Sequence, residues 1–186
     1  MTVIRLDADQ VCRYVEELAD LMVDTVDGGA SIGFLAPLDR AAAVAWWKER
    51  AGGVAAGQLA VWVVRGDDRT LGTVTLAFPD KPNSRHRAEL VKLMVHRDAR
   101  GRGLGRRLLA TAEQAAADAG LTLLHLDTET DSPAERLYTS AGWTRVGVIP
   151  DYAADPGGVL RGTTLYYKNL GAAGHGEHPG TTAPTR

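Results

Sequence analysis

The sequence predicts a mixed α/β domain: a mostly antiparallel central sheet of about seven strands, flanked by about four helices. Three observations carry this reading. β-Branched and aromatic runs recur at "QLAVWVVR", "LGTVTLAF", "AELVKLMVH", "LTLLHLDT", "WTRVGVIP" and "GTTLYYKNL". Segments with apolar residues at three- and four-residue steps fall between some of these runs and not between others. The chain has 186 residues, 45% hydrophobic and 24% charged, which suits one ordinary domain with a sizeable core.

In order, "TVIRL" reads as a short strand, and Val11, Val15, Leu18, Met22 and Val26 mark a helix from Ala8. Cys12, the only cysteine, sits among them and reads as a small core residue; with no partner for a disulfide it fits a reducing compartment. "DGGASIGFLAP" interrupts with three glycines and a proline. A second helix follows, capped by Asp39, carrying Ala43, Trp46, Trp47 and Arg50, and ended by Gly52-Gly53. The next two runs form a hairpin through "GDDRT", and "PDKPNSRHR" is a loop. Trp46, Trp47 and Trp62 lie in regular elements and are expected in the core.

"AELVKLMVH" is a third long strand, in which Lys92 breaks an apolar run and reads as a charge reaching solvent or an acidic partner. A helix spans about Leu104 to Ala119, with Leu104, Leu108, Ala112, Ala115 and Ala119 on one face and Gly120 in the left-handed terminal position. "LTLLHLDT" returns as a strand. "SPAERLYTSAG" is a short helix with a capping box from Ser132 to Glu135 and Pro133 in the first turn. Two strands around "DYAADPGG" close the domain. The order β-α-α-β-β-β-α-β-α-β-β contains one strand–helix–strand crossover, hence one parallel pair in an otherwise hairpin-linked sheet. Residues 1–170 are read as the single domain. The segment 171–186, "GAAGHGEHPGTTAPTR", has almost no large apolar residue and is expected to be disordered; His175 and His178 within it are not read as metal ligands.

The formal net charge of −2 implies no global attraction to nucleic acid or anionic membrane. No apolar run approaches the ~20 residues of a membrane span. "MTVIRLDADQ" lacks the pattern of a signal peptide, so a cytoplasmic setting is expected. Against that background, Arg97 to Arg107 holds five arginines and three glycines just ahead of an amphipathic helix. Glycines let backbone N–H groups approach a ligand, and a helix N-terminus is an anion site. Guanidinium forks on Arg100, Arg102, Arg106 and Arg107 suit phosphate oxygens. The physical reading is a bound phosphate, with a pyrophosphate the first candidate. The P-loop pattern fails because Gly105 is followed by Arg106-Arg107; the dinucleotide fingerprint fails because its sixth position from Gly101 is Arg106. Asp127, ending the next strand where a ribose-binding acid could sit, keeps a nucleotide-dependent oxidoreductase as a rival. No stacking aromatics flank the arginines, which weakens a nucleic-acid reading.

Arg100-x-x-Gly103-x-Gly105 fits another pattern. With "KPNSRHRAELVKLMVHRDARGRGLG", "LDTETDSPAERLYTSAGW" and the element order, the chain resembles the GNAT acetyltransferases, chiefly small bacterial members linked to antibiotic or toxin resistance. The resemblance implies the GNAT fold, acetyl-CoA as cosubstrate, and direct acetyl transfer to a primary amine of a small molecule. It implies that the N–H groups of Arg100, Gly101, Arg102, Gly103, Leu104, Gly105 and Arg106 hold the pyrophosphate. The backbone of Met94, Val95 and His96 would serve the pantetheine arm and thioester carbonyl. Tyr138 would be the general acid toward the departing thiolate. Acyl transfer also needs a proton acceptor at the amine. Asp127 is the first candidate and Glu129 the second, with a turn-forming role for Asp127 equally open. Many GNAT members carry Asn where this chain has Ser132. Family topology puts "DGGASIGFLAP" and "IPDYAADPGG" around the acceptor, where Asp27, Glu129, Asp131, Asp151 and Asp155 would favour a cationic amine or simply form turns. A homodimer is in keeping with the family. A non-catalytic acyl-CoA sensor and a protein or peptide acetyltransferase are the alternatives.

Overall fold

The structure is a computed structural model in which residues 1–171 are described; the remainder of the expected tail, with His175 and His178, lies outside the described residues. Alternation of side chains across seven strands gives the sheet two apolar faces, each covered by helices. The strands are β1 (Val3–Leu6), β2 (Leu59–Arg65), β3 (Thr70–Ala77), β4 (Arg87–Val95), β5 (Leu123–Glu129), β6 (Thr144–Ala154) and β7 (Leu160–Asn169). Their spatial order is β1-β2-β3-β4-β5-β7-β6. Every neighbouring pair is antiparallel except β4–β5, which is parallel, as the single crossover requires.

The helices are α1 (Ala8–Arg13), α2 (Val15–Asp27), α3 (Arg40–Ala55), α4 (Leu104–Asp118) and α5 (Pro133–Ser140). α4 and α5 cover one face, where Leu108, Leu109 and Ala112 meet Val64, Val74, Leu90, Leu124 and Leu126. α1 to α3 cover the other around β2 and β3, where Leu18, Met22 and Trp47 meet Val61, Val63 and Met94. Burying one such Leu or Val side chain contributes roughly 1.5–3 kcal/mol. Gly72 allows close packing: a Cβ there would stand 2.9 Å from the Met94 carbonyl oxygen and 3.0 Å from Leu108 Cδ1. Among the described residues no helix is long and apolar enough to cross a membrane.

Several expectations need correction. The first helix is two: Tyr14 leaves helical geometry (φ −97°, ψ 12°), and its ring lies 4.3 Å from the Arg65 guanidinium. The short α1 turns only Val11 inward, so Cys12, ~100° around the helix, is exposed rather than in the core. Gly52-Gly53 do not end α3, which runs to Ala55; a Cβ on Gly53 would come within 2.9 Å of Leu59 Cδ1, so this glycine serves helix-to-strand packing. Trp47 and Trp62 are buried, whereas Trp46 is only half-buried. The buried face of α4 is Leu104, Leu108, Leu109, Ala112 and Ala116, with Ala119 exposed, because the bulkier Leu109 takes the inward position. Ser132 is the N-cap of α5 but makes no side-chain cap bond. Glu135 Oε2 instead accepts from the Asp131 amide (2.8 Å) while Oε1 accepts from the Tyr166 hydroxyl (3.1 Å). Asp39 does cap α3, accepting from the Ala42 amide at 2.9 Å.

Candidate active site

The parallel pair β4–β5 is joined only at Arg87↔Leu123, Ala88↔Leu124 and Glu89↔His125. Beyond Glu89 and His125 the two strands separate. A β-bulge begins just past that point, where Thr73 faces Met94 and Thr75 faces Val91 across β3 and β4. Lys92 is the left-handed residue of the bulge, with φ 53°. A bulge bends a strand and re-aims its side chains, so β4 carries its last residues away from β5 and opens a wedge in the sheet.

The glycine-arginine turn lies at the far end of β4, on the α4 side. Gly101 and Gly103 adopt φ of 76° and 74°, and a Cβ on either would point into open space. Gly103 is the N-cap of α4, and no side chain caps the helix. The first intrahelical bond is from Arg107 N to Gly103 O (3.1 Å), which leaves the N–H groups of Gly103, Leu104, Gly105 and Arg106 without helical acceptors. No acidic residue occupies the first turn. The arginines divide their roles. Arg97 pairs with Asp24, Arg100 Nε donates to Val95 O (3.2 Å), Arg106 reaches Ser140 Oγ (2.8 Å) and Arg107 reaches Met1 O (2.6 Å). Arg102 is exposed and makes no hydrogen bond among the described residues. The turn therefore offers backbone donors first. The His96 amide already donates to Leu71 O (2.9 Å), and its ring sits near Asp24, Asp98 and Arg69.

Tyr138 lies on the same side as the turn, projecting from α5 into the core beside Trp143 and Tyr166, with ring centroids 5.8 and 6.0 Å away. Its hydroxyl has no hydrogen-bond partner among the described residues. Burial pushes the phenol well above its usual range, and the charge of Asp127 adds to the effect. Leu124 and Leu126 face the α4 core, so His125, Asp127 and Glu129 project to the opposite face. Asp127 is exposed there, with Oδ2 3.1 Å from Thr163 Oγ1 of β7. That hydroxyl is also 3.0 Å from the Thr128 carbonyl, and its single proton serves one of the two at a time.

This second face holds groups that sequence reading missed. Glu89 faces His125 across the last joined register of β4–β5 and adds a third carboxylate to Asp127 and Glu129. Its signal was strict alternation: Ala88 and Leu90 are buried, so Glu89 points the other way. His125 Nε2 lies 2.6 Å from Arg87 Nη1. Burial holds the His125 pKa down, helped by the charge of Arg87 and opposed by Glu89 and Asp127. Lys92 is not solvated as expected: Nζ donates to Ile32 O at 2.9 Å and stands 5.8 and 5.5 Å from the ring centroids of Phe34 and Trp46. Burial lowers its pKa, aided by Arg50 and opposed by Asp127 and Glu89. The loops "DGGASIGFLAP" and "IPDYAADPGG" meet through the Ala36 amide and Pro156 O, 2.8 Å apart. Asp155 serves the turn between β6 and β7, accepting from the Val159 amide (3.0 Å) and from Arg161 (2.9 Å).

Residues 29–143, more than half of the chain, match the family model described as the acetyltransferase (GNAT) family. The chain belongs to the GNAT acetyltransferases. These are acyltransferases with acetyl-CoA as cosubstrate. Over 88 residues the GNAT chain is 34% identical to human N-acetyltransferase 8B and 33% identical to rat N-acetyltransferase 8F1. The match takes in 46% of this chain and only 39% and 40% of those relatives. Among solved structures, a Salmonella typhimurium acetyltransferase bound to its cofactor acetyl-CoA aligns over 99% of both chains, with TM-score 0.72 and 22% identity. A ribosomal-protein-alanine N-acetyltransferase from Brucella melitensis covers 91% of this chain and 99% of its own, with TM-score 0.72 and 20% identity. The seven-stranded, mostly antiparallel sheet is that of these fold neighbours. The open donors at Gly103–Arg106, the Cβ-free approach at Gly101 and Gly103, and the wedge behind them fit a pyrophosphate with a slender arm attached.

Proposed function

We propose that this GNAT chain moves an acetyl group from acetyl-CoA to a primary amine of a small molecule by direct transfer in a ternary complex. One observation carries the reading: the sheet splits between β4 and β5, with the open turn and Tyr138 on one face and Asp127 on the other. Bound acetyl-CoA supplies the acetyl thioester. The donors of Gly103 to Arg106 hold its pyrophosphate, and the late backbone of β4 takes its arm toward the wedge. From the opposite face Asp127 orients the amine; it accepts a proton from nitrogen as the C–N bond forms. The amine attacks as its neutral free base, an ammonium having first given one proton to solvent. A carboxylate is a poor base toward that ammonium but an effective one toward the nitrogen once the bond has formed. Tyr138 donates toward sulfur as the C–S bond breaks. Both protons are then accounted for, and no acyl-enzyme nucleophile is needed.

The joined loops across the acceptor face favour a small amine over a side chain on a folded protein surface, with antibiotics and amino-acid-like toxins among the candidates. A melting comparison with acetyl-CoA, CoA, NAD and ATP at equal millimolar concentration tests the cosubstrate. A ligand at ~100 times its Kd adds ~2.7 kcal/mol, a rise of about 5 °C or more for this size. Acetyl-CoA and CoA are expected to raise Tm and NAD is not; a rise with NAD alone overturns the assignment. Thiol release from acetyl-CoA across an amine panel then separates an enzyme from a non-catalytic sensor, which binds without turnover.

The homodimer reading is supported by β6, an 11-residue edge strand with Val146, Val148, Ile149 and Tyr152 exposed. Long apolar edges invite pairing unless covered. Sedimentation equilibrium is expected to give twice the 19.8 kDa chain mass; a monomer at micromolar concentration rejects it.

A further inference from the structure

Lys92 is a costly residue at its position. It is a long side chain in left-handed backbone, inside a strand, and its ammonium is partly buried. Such a residue persists only where its surroundings over-determine it. Those surroundings come from a segment remote in sequence. Nζ donates to the Ile32 carbonyl at 2.9 Å, and the same ammonium lies over Phe34 (5.8 Å) and Trp46 (5.5 Å), which pack edge to face 5.8 Å apart. Arg50 covers the Trp46 ring at 4.6 Å and keeps it in place. Four residues beyond Ile32, the Ala36 amide bonds to Pro156 O in the β6–β7 turn at 2.8 Å. Residues 32–36 are thus anchored to β4 at one end and to the β6–β7 turn at the other. Ile32 and Phe34 of this strap pack on the α1–α3 side of the sheet, the side toward which Glu89, Asp127 and Glu129 project.

We propose that Lys92 is a positioning residue that fastens this strap across the acceptor cleft and so limits the acceptor to a small amine. The proposal rests on the reading of that face as the acceptor side. Lys92 itself takes no part in proton transfer. Its ammonium fixes the strap through one carbonyl and two aromatic faces, a geometry that a charged side chain of similar reach can restore and an apolar one cannot. Glu89 and Asp127 favour the charged form that this anchoring requires, against the opposing influence of burial and Arg50.

The test compares wild type with Lys92→Met, Lys92→Arg and Phe34→Ala; the last removes one wall without altering the bulge. Hydrogen exchange at the Ala36 amide reports strap attachment without reference to activity. Exchange is expected to quicken about tenfold or more in Lys92→Met and Phe34→Ala and to stay near wild type in Lys92→Arg. Kinetics with ethanolamine, free lysine and a ten-residue lysine-containing peptide report selectivity. In Lys92→Met the KM for small amines is expected to rise about tenfold, with kcat within about threefold and the KM for acetyl-CoA unchanged, while the relative rate on the peptide increases. Unchanged Ala36 exchange in both Lys92→Met and Phe34→Ala overturns the anchoring. Faster exchange with unchanged acceptor KM and size preference overturns the selectivity role. A wild type that binds acetyl-CoA yet acetylates no amine defeats the acceptor reading instead, and the Ala36 exchange still judges the anchoring on its own.

Discussion

Asp127→Asn is expected to lower kcat for acetyl transfer by about 10²-fold or more, while the affinity for acetyl-CoA stays within about twofold. The substitution keeps the shape of the side chain and a carbonyl oxygen for Thr163 Oγ1, which lies 3.1 Å from Oδ2 in the structure. What it removes is the negative charge that orients the amine and the basic oxygen that takes the proton from nitrogen once the C–N bond has formed. Because Asp127 lies on the opposite face from the glycine turn, cosubstrate binding is insulated from the change. Pre-steady-state measurement of thiol release, at saturating amine and acetyl-CoA, checks the chemical step directly. If kcat is retained in Asp127→Asn but falls in Glu129→Gln or Glu89→Gln, the base is one of those neighbours. If all three variants keep the wild-type rate, no carboxylate on this face is the proton acceptor.

Tyr138→Phe is expected to cost kcat about 10–10²-fold, at or below the lower end of what a general acid contributes. A thiol ionises near pH ~8.5, so sulfur can leave as a thiolate without full protonation. Burial and the Asp127 charge push the phenol upward, and Tyr138 therefore stays protonated throughout the neutral and moderately alkaline range. Its ionisation should produce no fall in kcat between about pH 7 and 9; an alkaline loss in that window that disappears in Tyr138→Phe would contradict the raised pKa while leaving the general-acid role in place. The stability effect should be small, because the hydroxyl has no hydrogen-bond partner among the described residues and the ring contacts to Trp143 and Tyr166 persist in phenylalanine. A melting curve close to wild type, combined with the kinetic loss, separates chemistry from misfolding.

Local patterns made much of this molecule legible. Alternating β-branched runs, the cap at Asp39 and the left-handed glycines are decided within a few residues, and they appear in the structure where expected. The errors also have local causes. A glycine pair can end a helix or let a strand approach it, and only the position of Leu59 shows that Gly53 does the latter. An apolar helical stripe does not reveal that Tyr14 will leave the helix, nor that Cys12 then faces outward.

By itself, the sequence determined the order of the seven strands along the chain, the single parallel crossover and the glycine-rich turn at Gly101–Arg106 that opens α4. Backbone conformation and unpaired helix N–H groups depend on near neighbours, so these features can be read from a string of residues. Only the tertiary structure decided which side chains share the cleft. Glu89 comes to His125 through a parallel register across a gap of 36 residues. Lys92 meets Ile32, 60 residues away, through a bulge that no residue type announced. Nor could the sequence divide the arginines, since Arg106 finds Ser140 and Arg107 finds Met1 only once α4 has docked. The physical reason is the same in each case: the direction of a side chain is local, but its partner is set by how the sheet twists, bulges and packs.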